Sequence, residues 1–375
     1  MPDRESNFQV THSEIVVSKT PKPGAFSSIQ QAIDSLPNNG TPCIINIGEG
    51  VYYERIWLQR DKVQLIGSGK DKTIITAACY NQKIQADGSI PGTYGSRTVC
   101  IDAKQCAISD CTIRNDFDFL ANQALPDDQR ITHSQSVALL LGRNSDKVLC
   151  QDLNLESYHD TLFIESGSSY FTQCQISGAI DFIFGSGNAV FYQCDVIARD
   201  RDDPILQPYG YLTAPSTDIS QELGFVFWQC RLLKEANVPV NSYALGRPWH
   251  PTKEFSDGKY ANPDAIGHCA LFYCQIDDHI YGWDRMSGKA KNGEVQWFNP
   301  QDDARFEEFG NVRFHQQNSL SLKIDPEPLH FELFLSHAEF KQRIQQVSTH
   351  LSSWLPHSFS HVSQPRFLSS ISEEI

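Results

Sequence analysis

No stretch of the chain approaches the roughly 20 consecutive apolar residues of a helical membrane span, so no such span is expected. Basic charge is also short. Lys and Arg number 31 against 45 Asp and Glu, a formal net charge of −14. A nucleic-acid partner calls for a basic face, and that class is excluded. The eleven cysteines include no Cys-x-x-Cys pair and no Cys/His cluster at zinc-ligand spacing, which argues against a metal. A Gly-x-Ser-x-Gly elbow is absent, so a serine hydrolase is a poor fit. Residues 67–73 look like a phosphate loop, but Gln64 stands where its first Gly belongs and Asp71 follows Lys70, so a turn is expected. No apolar leader follows Met1. With cysteines read as small reduced core residues, a cytoplasmic enzyme is expected, or a secreted or periplasmic one if a leader has been removed.

What is present is repetition. Residues 171–176, 191–196 and 227–232 each read aromatic-x-Gln-Cys, then polar, then aliphatic, and 272–276 comes close. Residues 108–113 and 150–155 echo them. Taking Cys111, Leu153, Cys174 and Cys194 as equivalent gives steps of 42, 21 and 20 residues, with 42 read as two periods. Short alternating strands at that period predict an all-β, parallel β-helix, in which each coil buries its inner face by stacking on the next. Asn-Gly hairpin turns are scarce between these strands, which disfavours a β-sandwich. Capping helices are predicted at both ends. One follows Ser28, with Ile29, Ala32, Ile33 and Leu36 on one face, and another follows the capping box Ser336 to Glu339, with Phe340, Ile344, Val347, Leu351 and Trp354 aligned. One domain over 1–356 and a loose tail over 357–375 are expected.

Three polar side chains track the same period. Gln135 lies in Gln135-Ser-Val-Ala-Leu139, Asp160 in Tyr158-His-Asp-Thr-Leu162, and Asp181 in Gly178-Ala-Ile-Asp-Phe-Ile-Phe-Gly185. Asp160 follows Gln135 by 25 residues and Asp181 follows Asp160 by 21, about one coil each, so all three are expected to stack on one face. Either aspartate alone reads as a turn or cap residue. Two carboxylates one coil apart cannot both ionise freely, and the resulting split into one acid and one anion suits acid–base chemistry.

In order, these segments resemble the markers of the pectin methylesterases, carbohydrate esterase family 8. The set also includes Gly50-Val-Tyr-Tyr-Glu54, Leu245-Gly-Arg-Pro-Trp249 and Gly282-Trp-Asp-Arg-Met286, and the likeness runs from about residue 17 to 356. The resemblance implies a right-handed β-helix that hydrolyses methyl esters of galacturonan or oligogalacturonides, as a monomer and without a cofactor. It implies Asp181 as nucleophile, Asp160 as acid then base, Arg247 as the partner of the nucleophile and Gln135 as an oxyanion donor. Trp249 becomes a sugar platform, and Phe163, Phe184, Met286 and Thr93 line the substrate groove. One position departs: His159 stands where the family carries Gln, and an imidazole N–H takes the place of an amide donor. Two alternatives stay open, a β-helix hydrolase of another acyl ester or thioester and a glycan-binding β-helix whose catalysis His159 weakens.

Overall fold

The computed structural model describes residues 13–85, 88–203, 205–315, 323–328 and 333–355. The expected tail, 357–375, lies outside them. The repeated aromatic-x-Gln-Cys segment explains how each coil turns. The residue just before the ladder position has a left-handed backbone at Asp110, Asp152, Gln173, Gln193, Gln229 and Tyr273, with φ between 49° and 56°. That bend redirects the chain from one face of the coil to the next, at a cost of about 1–3 kcal/mol for a non-glycine residue. The residue that follows turns inward, so Cys111, Leu153, Cys174, Cys194, Cys230 and Cys274 are all buried. Strand register stacks these six positions coil upon coil.

The result is a right-handed parallel β-helix with three strand-bearing faces. The first runs through Cys43–Ile47, Ser168–Thr172, Asn188–Tyr192, Phe225–Trp228 and His268–Phe272; the second through Gly50–Tyr53, Gln175–Gly178, Asp195–Ala198 and Arg231–Lys234. The long strands Ala107–Asn115 and Val148–Glu156 pass through both faces. The third face is a separate eight-stranded sheet from Ile56–Leu58 to Ile280–Gly282. Inside, Phe171 stacks on Phe191 at 4.9 Å between ring centroids and Phe191 on Phe227 at 4.4 Å. This aromatic ladder runs beside the cysteine ladder, and all eleven cysteines are free and buried. The segment 67–73 is a turn, held by the Ser68 N–H donating to Thr73 Oγ1 at 2.9 Å.

The 42-residue step from Cys111 to Leu153 is one coil rather than two, because these residues pair directly on adjacent strands. The extra length is a loop, 116–134, that carries helix α3 (Phe119–Gln123). A loop has no strand period, so its length mimicked a missing coil. The same loop shifts Gln135. Leu139 pairs with Leu162, so the residue level with Asp160 in the preceding coil is Val137, and Gln135 sits two residues before it.

Helix α1 (Ile29–Asp34) is capped by Ser28 and by Glu54, whose carboxylate accepts from Ser28 Oγ and from the N–H groups of Ile29 and Gln30. Helix α4 (His337–Ser352) begins with the Ser336/Glu339 capping box. Its buried residues Phe340, Ile344, Val347 and Leu351 cover the outer side of the first face, where Leu149, Tyr170, Val190, Val226 and Ala270 would otherwise meet water. Helix α4 therefore caps a flank of the solenoid.

The ladders generate a stability prediction. Phe191→Ala removes the central ring of a three-ring stack and should cost about 3–5 kcal/mol in urea unfolding. In the same preparation, native protein should react with few thiol-reagent equivalents and denatured protein with all eleven cysteines.

Candidate active site

The third face carries the two aspartates. Strands Leu162–Ile164 and Ile183–Gly185 pair in parallel with Leu162 opposite Ile183 and Phe163 opposite Phe184. Leu162, Ile164 and Ile183 point into the core, and Phe163 and Phe184 point out. Asp160 and Asp181 stand two residues before these strands, level with each other, as the bridge between His159 and Ile180 also requires. Neighbouring parallel strands lie about 4.7–4.9 Å apart, so the two carboxyl groups share one site. Both have left-handed backbones, φ 65° at Asp160 and 46° at Asp181. Aspartate is among the few side chains that enter this region readily. The bend also breaks strand alternation, so His159 and Asp160 face the same way: His159 Nε2 lies 3.5 Å from Asp160 Oδ1.

Arg247 distinguishes the two carboxylates. It follows the strand Tyr243–Gly246 and reaches across the intervening coil to Asp181. Its Nε donates to Oδ1 at 2.8 Å and its Nη2 to Oδ2 at 2.6 Å, a two-pronged contact that uses the planar guanidinium fork. The Tyr211 ring lies 3.8 Å from the guanidinium carbon. Burial works against the charge on Arg247, but the Asp181 carboxylate and its hydrogen bond outweigh it and raise its pKa. Among the described residues, Asp160 has no such partner. Burial, and then the charge of Asp181, push its carboxyl well above the usual range, against a smaller opposing pull from Arg247.

His159 sits against both. Burial lowers its pKa to about 4, with Arg247, Arg201 and His133 adding to the effect and Asp181 opposing it. The ring is therefore neutral near pH 7. Its Nδ1 lies 3.0 Å from Ser134 Oγ. Gln135, the next residue along the chain, is held through its carbonyl by the Asn81 N–H at 2.9 Å, while its Oε1 is buried without a hydrogen-bond partner among the described residues. Asn81 Nδ2 also donates to Thr93 Oγ1 at 2.9 Å, which ties Thr93 on helix α2 (Gly92–Gly95) to the Gln135 segment.

The aromatic positions form a shelf. Phe163 and Phe184 stack at 4.3 Å, and Trp249 meets Phe184 edge-on at 5.7 Å, with Tyr94 packed alongside. Met286 is not part of this cluster; it opens the hairpin Met286–Lys289/Val295–Phe298 and is half-buried. Trp283 of the same segment turns inward, stacks on Phe306 at 4.1 Å and donates to the buried Glu308 at 2.8 Å. Sequence reading missed Tyr211, Ser134 and Arg201. Arg201 donates to Gln123 Oε1 at 2.9 and 3.1 Å and to the Tyr209 carbonyl at 2.9 Å, which latches the 116–134 loop to the site. In sequence, Arg201 is one more charge in a polar loop.

Two stacked aspartates, an arginine on one of them and an aromatic shelf, all on the flank of a parallel β-helix, mark the class of carbohydrate esterases. A pectinesterase family model matches residues 14–260. Pectinesterase A of Dickeya dadantii (strain 3937) is 47% identical over 297 residues, covering 78% of this chain and 81% of that protein. The crystal structure of pectin methylesterase PemA from Erwinia chrysanthemi superposes with a TM-score of 0.81 at 40% identity, covering 94% of this chain and 99% of that one. Pectin methylesterase from Yersinia enterocolitica gives 0.79 at 45% identity, over 84% and 96%. A further solved structure is a pectin methylesterase mutant in complex with a hexasaccharide, with TM-score 0.82. The chain belongs to the pectinesterase family. Its activity is that of a pectin methylesterase, a carboxylic ester hydrolase.

Family membership corrects the expected location. The relatives are pectinesterases, whose polymer lies outside the cell, and this overturns the cytoplasmic expectation. The cysteine argument fails for a physical reason. These thiols are packing residues within the core, and burial, rather than a reducing compartment, accounts for them.

The raised pKa of Asp160 makes a prediction about stability. Unfolding releases this carboxyl to its ordinary pKa, so its penalty on the fold is absent below about pH 4, where it is protonated in both states, and grows as pH rises. Asp160→Asn should therefore raise Tm at pH 7, and the gain should vanish toward pH 3. A gain that is equal at both pH values would show that Asp160 is not held protonated by the fold.

Proposed function

We propose that Asp181 is the nucleophile and Asp160 the acid–base partner of methyl ester hydrolysis. The single observation that carries this reading is the asymmetry of a level pair: Arg247 bonds Asp181 through both nitrogens, while the carboxyl of Asp160 is pushed toward its protonated form. An Asp181 oxygen attacks the ester carbonyl of a galacturonate unit. The C–OCH₃ bond breaks, Asp160 gives its proton to the departing methoxide, and methanol leaves an acyl anhydride on Asp181. Asp160, now a carboxylate, takes a proton from water as its oxygen attacks the anhydride. The acid is released, and both aspartates return to their starting forms.

The Gln135 carboxamide and the His159 ring are the oxyanion donors in this scheme. The place of Gln135 in the coil before Asp160 and a neutral imidazole beside the pair support it. Trp249, Phe163 and Phe184 offer apolar faces to the sugar rings, with Thr93 and Met286 at the margins of the groove. The substrate is pectin or a methylated oligogalacturonide. The same reading takes the chain to act as a monomer and takes 1–356 as one esterase domain, the latter supported by a core cluster that runs from Val17 to Phe306.

Methanol release from methylated polymer and from short methylated oligogalacturonides tests the assignment. Asp181→Asn should abolish turnover on both. Arg247→Lys should be severely impaired, because an ammonium cannot reproduce the fork. Gln135→Ala and His159→Ala should each lose about 10–10³-fold in kcat, while His159→Gln should hold or raise it. A folded Asp181→Asn enzyme of near wild-type rate would overturn the scheme.

A further inference from the structure

One buried histidine shows how the partner of a ring nitrogen sets the tautomer. His268, on the strand His268–Phe272, accepts the Gly224 N–H into Nδ1 at 2.9 Å. A backbone N–H can only donate, so Nδ1 carries the lone pair and the single proton of the neutral ring is on Nε2. Nε2 in turn faces the Glu307 carboxylate at 3.3 Å. The donor on one nitrogen thus decides what the other nitrogen presents to a carboxyl group.

His159 repeats the layout at the active site. Nδ1 faces Ser134 Oγ at 3.0 Å, and Nε2 faces Asp160 Oδ1 at 3.5 Å. Here the partner of Nδ1 is a hydroxyl, which can either donate or accept. The backbone around the ring leaves little freedom, since the Ser136 N–H donates to the His159 carbonyl at 2.9 Å and the Ser136 hydroxyl lies 3.4 Å from it. Residues 134 and 136 thus hold His159 at ring and carbonyl, from the coil before. Ser134 is itself buried.

We infer that Ser134 is a positioning residue that donates its hydroxyl proton to His159 Nδ1 and so holds the imidazole as the Nε2–H tautomer, presenting an N–H to the reacting side of the cleft. This rests on the catalytic reading above and adds a residue to it. The chemistry of the cycle favours this tautomer. Once Asp160 has protonated methanol it is a carboxylate, and an Nε2 lone pair facing it would repel that charge just when water must be activated. An Nε2–H stabilises it, and is also the only form of the neutral ring that offers a donor to an oxyanion from that nitrogen. The amide that the family carries at this position has a fixed N–H donor and needs no such helper. An imidazole acquires a fixed donor only if something sets its tautomer.

Two measurements test the inference. In the full-length enzyme with ¹⁵N-labelled histidine, His159 assigned by comparison with His159→Gln should show a protonated Nε2 and an unprotonated Nδ1 near pH 7. Ser134→Ala should shift its signals toward a mixture of tautomers. In steady-state methanol release, Ser134→Ala should lower kcat by about 3- to 10-fold with KM little changed, on the scale of one neutral hydrogen bond, and Ser134→Thr should restore most of the loss. The decisive comparison is in the His159→Gln background, where Ser134→Ala should have no effect on kcat. A wild-type ring protonated on Nδ1 overturns the inference, and so does an equal kcat loss from Ser134→Ala in both backgrounds. If Ser134→Ala does not fold, the wild-type spectrum and Ser134→Thr still decide it. Failure of the catalytic reading looks different: His159→Ala or Asp181→Asn would keep full turnover whatever tautomer the spectrum reports.

Discussion

Parallel coils stacked in register place every position beside its own counterpart one strand spacing away. In most of the molecule this constraint is harmless or helpful. Phe171, Phe191 and Phe227 stack ring on ring, and Cys174, Cys194, Cys230 and Cys274 form a narrow inner column. At Asp160 and Asp181 the same constraint brings two carboxyl groups together at a half-closed surface, where water screens them poorly. Repulsion that a flexible chain would relieve by moving apart is held in place by the ladders on either side. The left-handed backbones at both aspartates are held the same way.

That enforced proximity is useful because the environment is uneven. Arg247 arrives from two coils further on and bonds one aspartate, supported beneath by Tyr211. The other aspartate is left with burial and a neighbouring charge, both of which favour its proton. A single cation, reaching diagonally over the stack, therefore turns a symmetric pair into two groups of different character. Arg201 contributes to the same field, helping to keep His159 neutral. The overall charge of −14 would repel an acidic polysaccharide at long range, but screening confines that repulsion to about 8–10 Å at ordinary salt.

Much of this was legible in the sequence, and where reading failed the cause was consistent. The period near 21 residues, the inward cysteines, the capping box at Ser336 and the pairing of Asp160 with Asp181 all follow from local pattern. Each depends on residues whose neighbours in space are also near in sequence or one regular period away. The 42-residue step was misread, and Gln135 was placed level with Asp160, because the 116–134 loop adds length without pattern. Family resemblance supplied Arg247, which spacing alone could not have linked to a residue 66 positions earlier.

By itself, then, the sequence determined the solenoid, its inner ladders and the presence of two aspartates on one face, since alternation and period are properties of the chain taken coil by coil. Only the tertiary structure decided that His159 and Asp160 face the same side, that Ser134 meets the imidazole, and that helix α4 covers a flank. Those outcomes depend on how loops of irregular length return each strand to the stack, and on left-handed bends that reverse the alternation of side chains. Loop length leaves no periodic trace in the residues that produce it.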